Sequence, residues 1–427
     1  MDEVYNQPGM KICTAKGSSV SSPPRSFFNT LTSNRALLGS ALLATTFCLP
    51  SQALAATTLD QAVANQLDLD CGGLTGGVGS VPGLSAELTA LCDDPGASGA
   101  GGASGGGTGS AQSLGATVEN RRQDRLEGKS TGNQATLNLP SGLGLFITGN
   151  IEALDRDKTT FGDGFDSTVL GATAGADFRF NNMFLAGAAF NYVNRDGDFD
   201  GGGDFSTNSY GGLAYGSFMP IPAMFLDISL GYTRHDYALH REVAYTNLGN
   251  TTFKGTPKSN SDGNEFLIRA VTGYDYTIGM VTVGPRVGVN YSHLSIDDYK
   301  ESGGGGLGLE YDDQTVKSLQ STVGLQGSMA INTSYGVWVP QATADYVHEF
   351  ENDQRSIDVT FAGDNRANPT KFSFNNDKPD RNFFNLGIGT VLVLPNGIQP
   401  FVNFKALVGH SQFDNYAGTI GVRIEGS

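Results

Sequence analysis

From Asn382 to Ser427, at the C-terminal end of the chain, apolar residues alternate with small or polar ones at period two. Phe384, Leu386, Ile388, Thr390, Leu392 and Leu394 share one face and Asn385, Gly387 and Gly389 the other, which is the side-chain period of a strand and not of a helix. Pro395-Asn396-Gly397 cuts the run, and the alternation resumes with Val402, Phe404, Ala406 and Val408 opposite Asn403, Lys405 and Leu407, predicting a tight hairpin. A third segment, Phe413 to Glu425, sets Gly418, Ile420, Val422 and Ile424 against Thr419, Gly421, Arg423 and Glu425. A soluble sandwich hides an apolar face against a second sheet, but here the opposite face stays polar and Gly-rich strand after strand. An apolar exterior around a wet interior accounts for both faces, and that describes a transmembrane β-barrel.

From Asn138 onward roughly twelve such segments follow one another. The links DRDKTTFGDGFD, NRDGDFDGGGD, HREVAYTNLGNTTFKGTPKSNSDGN, DDYKESGGGGLGLEYDDQ and Glu351 to Asp380 are long and polar. Between them fall the short links Asn181-Asn182, Pro220-Ile221-Pro222, Gly279-Met280 and Asn332-Thr333-Ser334. This alternation predicts an all-β, antiparallel, up-and-down transmembrane barrel over 138–427, with long loops outside and short turns facing the periplasm. Phe190, Tyr192, Tyr215, Phe218, Tyr232, Tyr237, Tyr274, Tyr276, Tyr291 and Tyr346 are candidates for aromatic girdles at the headgroup levels.

Upstream, residues 1–55 read as a secretory signal: Lys11, Lys16, Arg25 and Arg35 precede the apolar run ALLGSALLATTFCLP, and Ala53-Leu54-Ala55 offers a cleavage site. Residues 56–94 form a short extension with two cysteines, Cys71 and Cys92, expected to pair in an oxidising compartment. Its segments TLDQAVANQLDLD and GLSAELTALCDD carry short amphipathic spacings that predict a small knot of helix. Residues 95–110 are a Gly/Ser-rich tether. Residues 111–129 are a helix candidate whose Glu119, Arg121, Arg122 and Arg125 leave it polar all round, which suits a wet lumen. There those charges are expected to pair with inward groups such as Arg269, Arg286, Asp345, Lys405 and Arg423.

The net charge of -16 argues against a nucleic-acid partner. A charged fraction of 16% and 59 glycines are not those of an ordinary globular enzyme. Catalytic chemistry is not expected, because no Gly-Asp-Ser block occurs, the string Gly162 to Ser167 has other spacing, and His235, His240, His293, His348 and His410 are scattered along the barrel as lumen or rim residues. Asp196, Asp198 and Asp200 repeat the first half of a calcium loop, but the twelfth position is Thr207 and not Glu. Weak surface calcium binding is therefore the most that cofactor chemistry offers. Gly303 to Gly306 lacks the Lys of a phosphate cradle and reads as a flexible tip.

The segment VWVPQATADYVHEF, with Pro340, His348, Glu349 and Phe350, together with LGIGTVLVLPNGIQPFVNF and YAGTIGVRIEGS, resembles the C-terminal translocator domain of monomeric autotransporters, over about Leu143 to Ile424. The resemblance implies a twelve-stranded outer-membrane barrel, a helix threaded through its pore and an exported N-terminal passenger. Implied partners are outer-membrane lipid, periplasmic chaperones and the barrel-insertion machinery, with the chain a monomer. Two departures stand out. The closing strand ends on Gly426-Ser427 where the family carries an aromatic, leaving Tyr416, Gly418, Val422 and Ile424 as the insertion signal. The segment after Ala56 shows no repeat of the kind long passengers carry. Translocation or display of the short extension is the expected function. A diffusion channel, or an adhesin acting through acidic loops 241–264 and 351–380, are the alternatives.

Overall fold

The computed structural model describes Leu59, Ala62, Val63, Gln66, Leu67, Leu84, Ser85, Leu88 and residues 140–246, 252–395 and 397–426. The expected signal, Cys71, Cys92, the tether and the lumen-helix charges Glu119, Arg121, Arg122 and Arg125 lie outside these residues.

The strands are β1 (Leu143–Arg156), β2 (Phe165–Arg179), β3 (Phe184–Phe199), β4 (Gly203–Phe218), β5 (Met224–Arg241), β6 (Val243–Thr246), β7 (Thr252–Gly255), β8 (Lys258–Tyr274), β9 (Tyr276–Ile278) and β10 (Val281–Ile296). They continue as β11 (Tyr299–Lys300), β12 (Leu309–Tyr311), β13 (Gln314–Met329), β14 (Ile331–Thr333), β15 (Gly336–Glu349), β16 (Ser356–Phe361), β17 (Phe372–Asn375), β18 (Asn382–Val393), β19 (Ile398–Val408) and β20 (Phe413–Glu425). Taking β9 and β14 as continuations of β8 and β13, twelve antiparallel strands form one closed ring. The ring closes where β1 pairs with β20, from Gly144 opposite Glu425 to Arg156 opposite Phe413; β13 pairs with its hairpin neighbour β15 from Gln320 opposite Glu349 to Ser328 opposite Gln341. No strand edge of the ring is left open, which is what a membrane demands of a sheet.

The barrel is inside-out relative to a soluble fold. Ile147, Leu170, Phe190, Ile228, Leu230, Ile388 and Ile420 are exposed, while Thr148, Glu152, Asp177, Asn191, Arg195, Thr233, Glu265 and Arg423 are buried on the alternate positions. Period two separates an apolar outward face from an inward face that carries these polar residues together with two apolar patches, Phe146 with Leu185, Leu213 and Leu267, and Val339 with Val391, Val393 and Phe401. Among the described residues no helix is long and apolar enough to cross a membrane, so the crossing falls to strands.

Short links 180–183, 219–223, 279–280, 334–335 and 394–397 gather at one end. At the other end the strict alternation of link lengths breaks. The acidic stretch after Asn194 is not a loop: β3 and β4 run through it and leave only 200–202 as the turn. A barrel strand needs about ten residues to span lipid, and β3 has 16, so the hairpin continues beyond the membrane, held by Phe165, Phe199 and Phe205 packed edge to face inside it. The polar residues 258–264 likewise belong to β8, paired with β5 from Lys258 opposite His240 onward. The girdle assignment is corrected at two positions: Tyr215 is buried inside, its hydroxyl donating to Asp177 at 2.9 Å, and Tyr237 also points inward.

The remaining long connections build a second, smaller sheet. β11, β12, β16 and β17 pair in that order, with Leu309 opposite Phe361 and Tyr311 opposite Val359, and β6 pairs with β7 nearby. Leu307, Leu309, Ile357, Val359, Phe361 and Phe374 form its core. The glycine run Gly303 to Gly306 is a tight turn and not a loose tip. Gly303, Gly305 and Gly306 take positive φ there, folding the chain back so that Leu307 enters that core.

Candidate functional site

The lumen wall gathers charge that the strand pattern aims inward. Arg286 on β10 meets the Asp345 carboxylate through Nε at 2.8 Å and through Nη2, and Lys405 lies within electrostatic reach of Arg269, Arg286 and Asp345. At another level Arg423 donates to Asp177 at 3.3 Å and to Glu425 at 2.6 Å. Arg269, Arg286, Asp345, Lys405 and Arg423 were named from the sequence as partners for the helix charges, which lie outside the described residues; here Arg286 pairs with Asp345, and Arg423 with Asp177 and Glu425. Charges this enclosed need partners, because an isolated buried ion costs several kcal/mol.

Toward the long-link end the wall opens into a cavity of about 650 Å³, bounded by Glu152, Arg195 and Glu265 below and by Tyr299, Tyr311 and Ile357 of the small sheet above. That sheet is a cap. It is fixed to the barrel by Arg241 at the end of β5, whose guanidinium meets the Glu301 carboxylate at 2.6 and 2.7 Å and the Leu307 carbonyl at 3.2 Å. Glu301 also accepts from the Leu309 N–H at 2.8 Å. Burial pushes the Tyr311 phenol above its ordinary range, and the nearby Glu301 charge adds to that. The link 376–381 comes down at the opposite rim, where Asp377 receives Arg156 and the Thr159 hydroxyl, the latter at 2.9 Å. Arg156 lies over the Phe165 and Phe413 rings at 5.9 and 5.8 Å.

The cap core is completed by the N-terminal extension. Leu59, Val63 and Leu67 are helical, spaced at i, i+4 and i+8, and all three are buried together with Leu88 against Val243, Tyr245, Leu309 and Phe361. Leu84 bridges to Asp364, and the Ser85 N–H donates to the Gly363 carbonyl at 2.8 Å. The Ser85 hydroxyl accepts the Leu88 N–H at 3.1 Å, as an N-cap does. Burying one such aliphatic side chain is worth ~1.5–3 kcal/mol, so four of them make a substantial contact. The sequence reading named short amphipathic spacings in this segment but no partner for them. The signal was there: Leu307, Leu309 and Tyr311, like Ile357, Val359 and Phe361, alternate at period two within stretches read as polar loops.

The insertion-signal candidates fall on one face of β20: Tyr416, Gly418, Val422 and Ile424 stand opposite Ala153, Ile151, Ile147 and Leu145 of β1, and Tyr416 is exposed. Asp196 and Asp198 project from the same face of an extended strand, exposed, with Asp200 in the turn beyond. Alternate residues of a strand stand roughly 6–7 Å apart along it, so the structure does not wrap these three around one point. Among the described residues no group of three or more His, Cys, Asp or Glu is arranged to hold a metal.

One alignment looks catalytic at first sight. Ser209 Oγ is 2.8 Å from His235 Nδ1, and Glu265 Oε2 is 3.4 Å from His235 Nε2. The second distance is beyond a hydrogen bond, and neither Ser209 nor His235 lines the cavity. The arrangement is a polar rung of the lumen wall.

A closed ring with a lipid-facing exterior, a charged lumen and a capped mouth defines a transmembrane β-barrel of bacterial outer-membrane type. Residues 145–405 match the autotransporter beta-domain, and the chain belongs to that family as an outer-membrane barrel of the type V secretion kind. It is 27% identical over 225 residues to "Esterase EstA" of Pseudomonas aeruginosa, which covers 51% of this chain and 33% of that protein. It is 22% identical over 324 residues to "Outer membrane protein A" of Rickettsia conorii, covering 72% of this chain and 15% of the relative. The chain thus spans a third or less of these curated relatives. Among solved structures it is similar to the translocator domain of the autotransporter NalP from Neisseria meningitidis, with a TM-score of 0.52 at 16% identity, covering 74% of this chain and 97% of that one. That likeness establishes the fold.

Proposed function

We propose that this barrel carries its own short N-terminal extension across the outer membrane and presents it on the external face, built into the cap. The observation that carries the reading is the burial of Leu59, Val63, Leu67 and Leu88 in the core made by the long connections. In an outer-membrane barrel long connections face outward and short turns face the periplasm, so a segment enclosed by the long connections has its place outside. Residues 1–55 act as the export signal on this reading. The barrel-insertion machinery reads the β20 face of Tyr416, Gly418, Val422 and Ile424, periplasmic chaperones hold the unfolded chain before that, and the inserted barrel is a monomer.

The barrel has no hydrolytic role in this scheme. The esterase named among the relatives matches this chain over 33% of its own length, and in the Ser209–His235–Glu265 rung the second hydrogen bond is missing and neither Ser209 nor His235 lines the cavity, though Glu265 does. Protease treatment of intact cells tests the proposal. With an epitope placed at residue 56, added protease that cuts within 95–110 separates the tag from the barrel on denaturing electrophoresis if the extension is presented outside. Protection of tag and tether in intact cells, with cleavage only after the outer membrane is permeabilised, overturns it.

A further inference from the structure

Strand register gives the cavity beneath the cap a polar floor and apolar walls. Glu152, Val169, Arg195, Thr207 and Tyr237 stand opposite one another on β1 to β5. The next inward positions toward the cap are Leu154 on β1, Phe205 on β4 and Leu239 on β5, with Phe165 and Phe199 one step further on β2 and β3. Each such step is roughly 6–7 Å along a strand. Glu152, Arg195 and Tyr237 line the cavity, and so do the five apolar residues above them. Phe205 packs edge to face on Phe165 at 5.2 Å and tilts against Phe199 at 4.9 Å, so the wall is a fixed aromatic surface.

Arg156, Arg241, Arg286 and Arg423 are enclosed, and each meets a carboxylate: Asp377, Glu301, Asp345 and Asp177. Arg195 does not. It is 6% exposed, and among the described residues it makes no hydrogen bond and no ion pair, Glu152 acting on it only from longer range. Glu152 Oε1 accepts instead from Asn415 Nδ2 at 2.7 Å. The enclosed Tyr237 hydroxyl likewise has no hydrogen-bond partner among the described residues. A guanidinium fork and a phenol O–H beside one chamber are donors that lack an acceptor, and a carboxylate fits such a fork with two hydrogen bonds, as Glu301 does for Arg241. We propose that this cavity binds a small organic carboxylate with an aromatic body, the head on Arg195 and Tyr237 and the body against Phe165, Phe199 and Phe205. The volume of about 650 Å³ suits it, since small-molecule pockets run to roughly 300–1,000 Å³. Glu152 and Glu265 at the floor restrict the head to a single negative charge. The site goes beyond display of the extension and does not depend on it.

The test titrates the full chain, folded in detergent, with three probes that share one body and differ in the head: phenylacetate, phenethyl alcohol and phenethylamine. Heats are read by calorimetry against the same detergent without protein. Phenylacetate is expected to bind saturably, the alcohol about tenfold more weakly, and the amine most weakly. Arg195→Gln keeps a donor and removes the charge. It is expected to weaken phenylacetate about tenfold and to leave the alcohol within about twofold. Tyr237→Phe removes a hydroxyl that no described protein group uses, so the barrel is expected to keep its heat-dependent shift on electrophoresis while phenylacetate affinity falls about threefold or more. That variant answers the case in which Arg195→Gln fails to fold. Absence of saturable phenylacetate binding overturns the proposal. So does an alcohol or amine bound as tightly as the acid, or a phenylacetate affinity unchanged in either folded variant.

Discussion

Arg241 and Glu301 show how one pair of residues ties the cap to the barrel. Both are enclosed, the pair is bidentate, and the carboxylate also serves the Leu309 N–H. Removing one partner of such a pair leaves a buried charge behind, at a cost of ~3–5 kcal/mol. Glu301→Ala is therefore expected to loosen the cap, read as faster hydrogen exchange at 299–311 and 357–361 with the barrel strands still protected. Lys300→Ala is the contrast. Its partner Glu310 is 2.9 Å away, but both side chains are about half exposed, so the change is expected to stay within about 1 kcal/mol. Asp364 adds a pH dependence. The hydrogen bonds from Arg366 hold its carboxyl below the usual aspartate range. A group depressed in the folded state contributes stability above its unfolded value of 3.8, and that contribution is lost as pH falls through the lower folded value. The protection factors of the Ser85 and Leu88 amides, exchange rates divided out for their intrinsic pH dependence, are thus expected to be level between neutral pH and about 5 and to fall only in stronger acid. In Asp364→Asn the acid step should vanish.

At the scale of elements, Glu349 at the end of β15 ties that strand to its hairpin partner β13. Its carboxylate accepts from Ser318 at 2.6 Å, from the Leu319 N–H at 2.9 Å, from Gln320 at 3.1 Å and from the Glu351 N–H at 3.0 Å. Glu349→Ala strips partners from two backbone donors, each worth ~1–3 kcal/mol when left buried and unpaired. The heat-dependent electrophoretic shift of the barrel is expected to move to lower temperature. The residues His348, Glu349 and Phe350 were legible as a family resemblance and the β13–β15 hairpin from its short link, but the hydrogen bonds that Glu349 makes across that hairpin were not, because they depend on which carboxylate meets which backbone donor. The strands themselves were legible. Period two survives in Phe384, Leu386 and Ile388, in Val402 and Phe404, and in Ile420 and Arg423, since one face meets lipid and the other does not. The cap was not, because Leu307 and Leu309 enter its core after four glycines, where residue-by-residue polarity reads as loop. Asp196 and Asp198 misled for a related reason: β3 outlasts the membrane, and beyond it charge is no longer a sign of irregular chain.

On the scale of the whole molecule, two cores of opposite sense share one chain. The cap is built as a soluble protein is, with Leu309, Val359 and Phe361 inside. The barrel turns its apolar residues out, and the solvent it faces decides whether that is tolerable. Ile420 on β20 is 68% exposed and Ile388 on β18 is 65% exposed. Were water outside, a lysine at either position would cost nothing and would relieve an exposed apolar surface. With lipid outside, the same change costs ~2–4 kcal/mol near the bilayer midplane. Ile420→Lys and Ile388→Lys are therefore expected to lower the yield of barrel folded into phospholipid vesicles, while Ile420→Leu leaves it unchanged. The cap should not respond, because these positions lie on the barrel wall and the cap core is made from the connections and the extension alone. Separate loss of barrel insertion in the lysine variants and of cap protection in Glu301→Ala would show that one end of this chain is stabilised by lipid and the other by its own buried side chains.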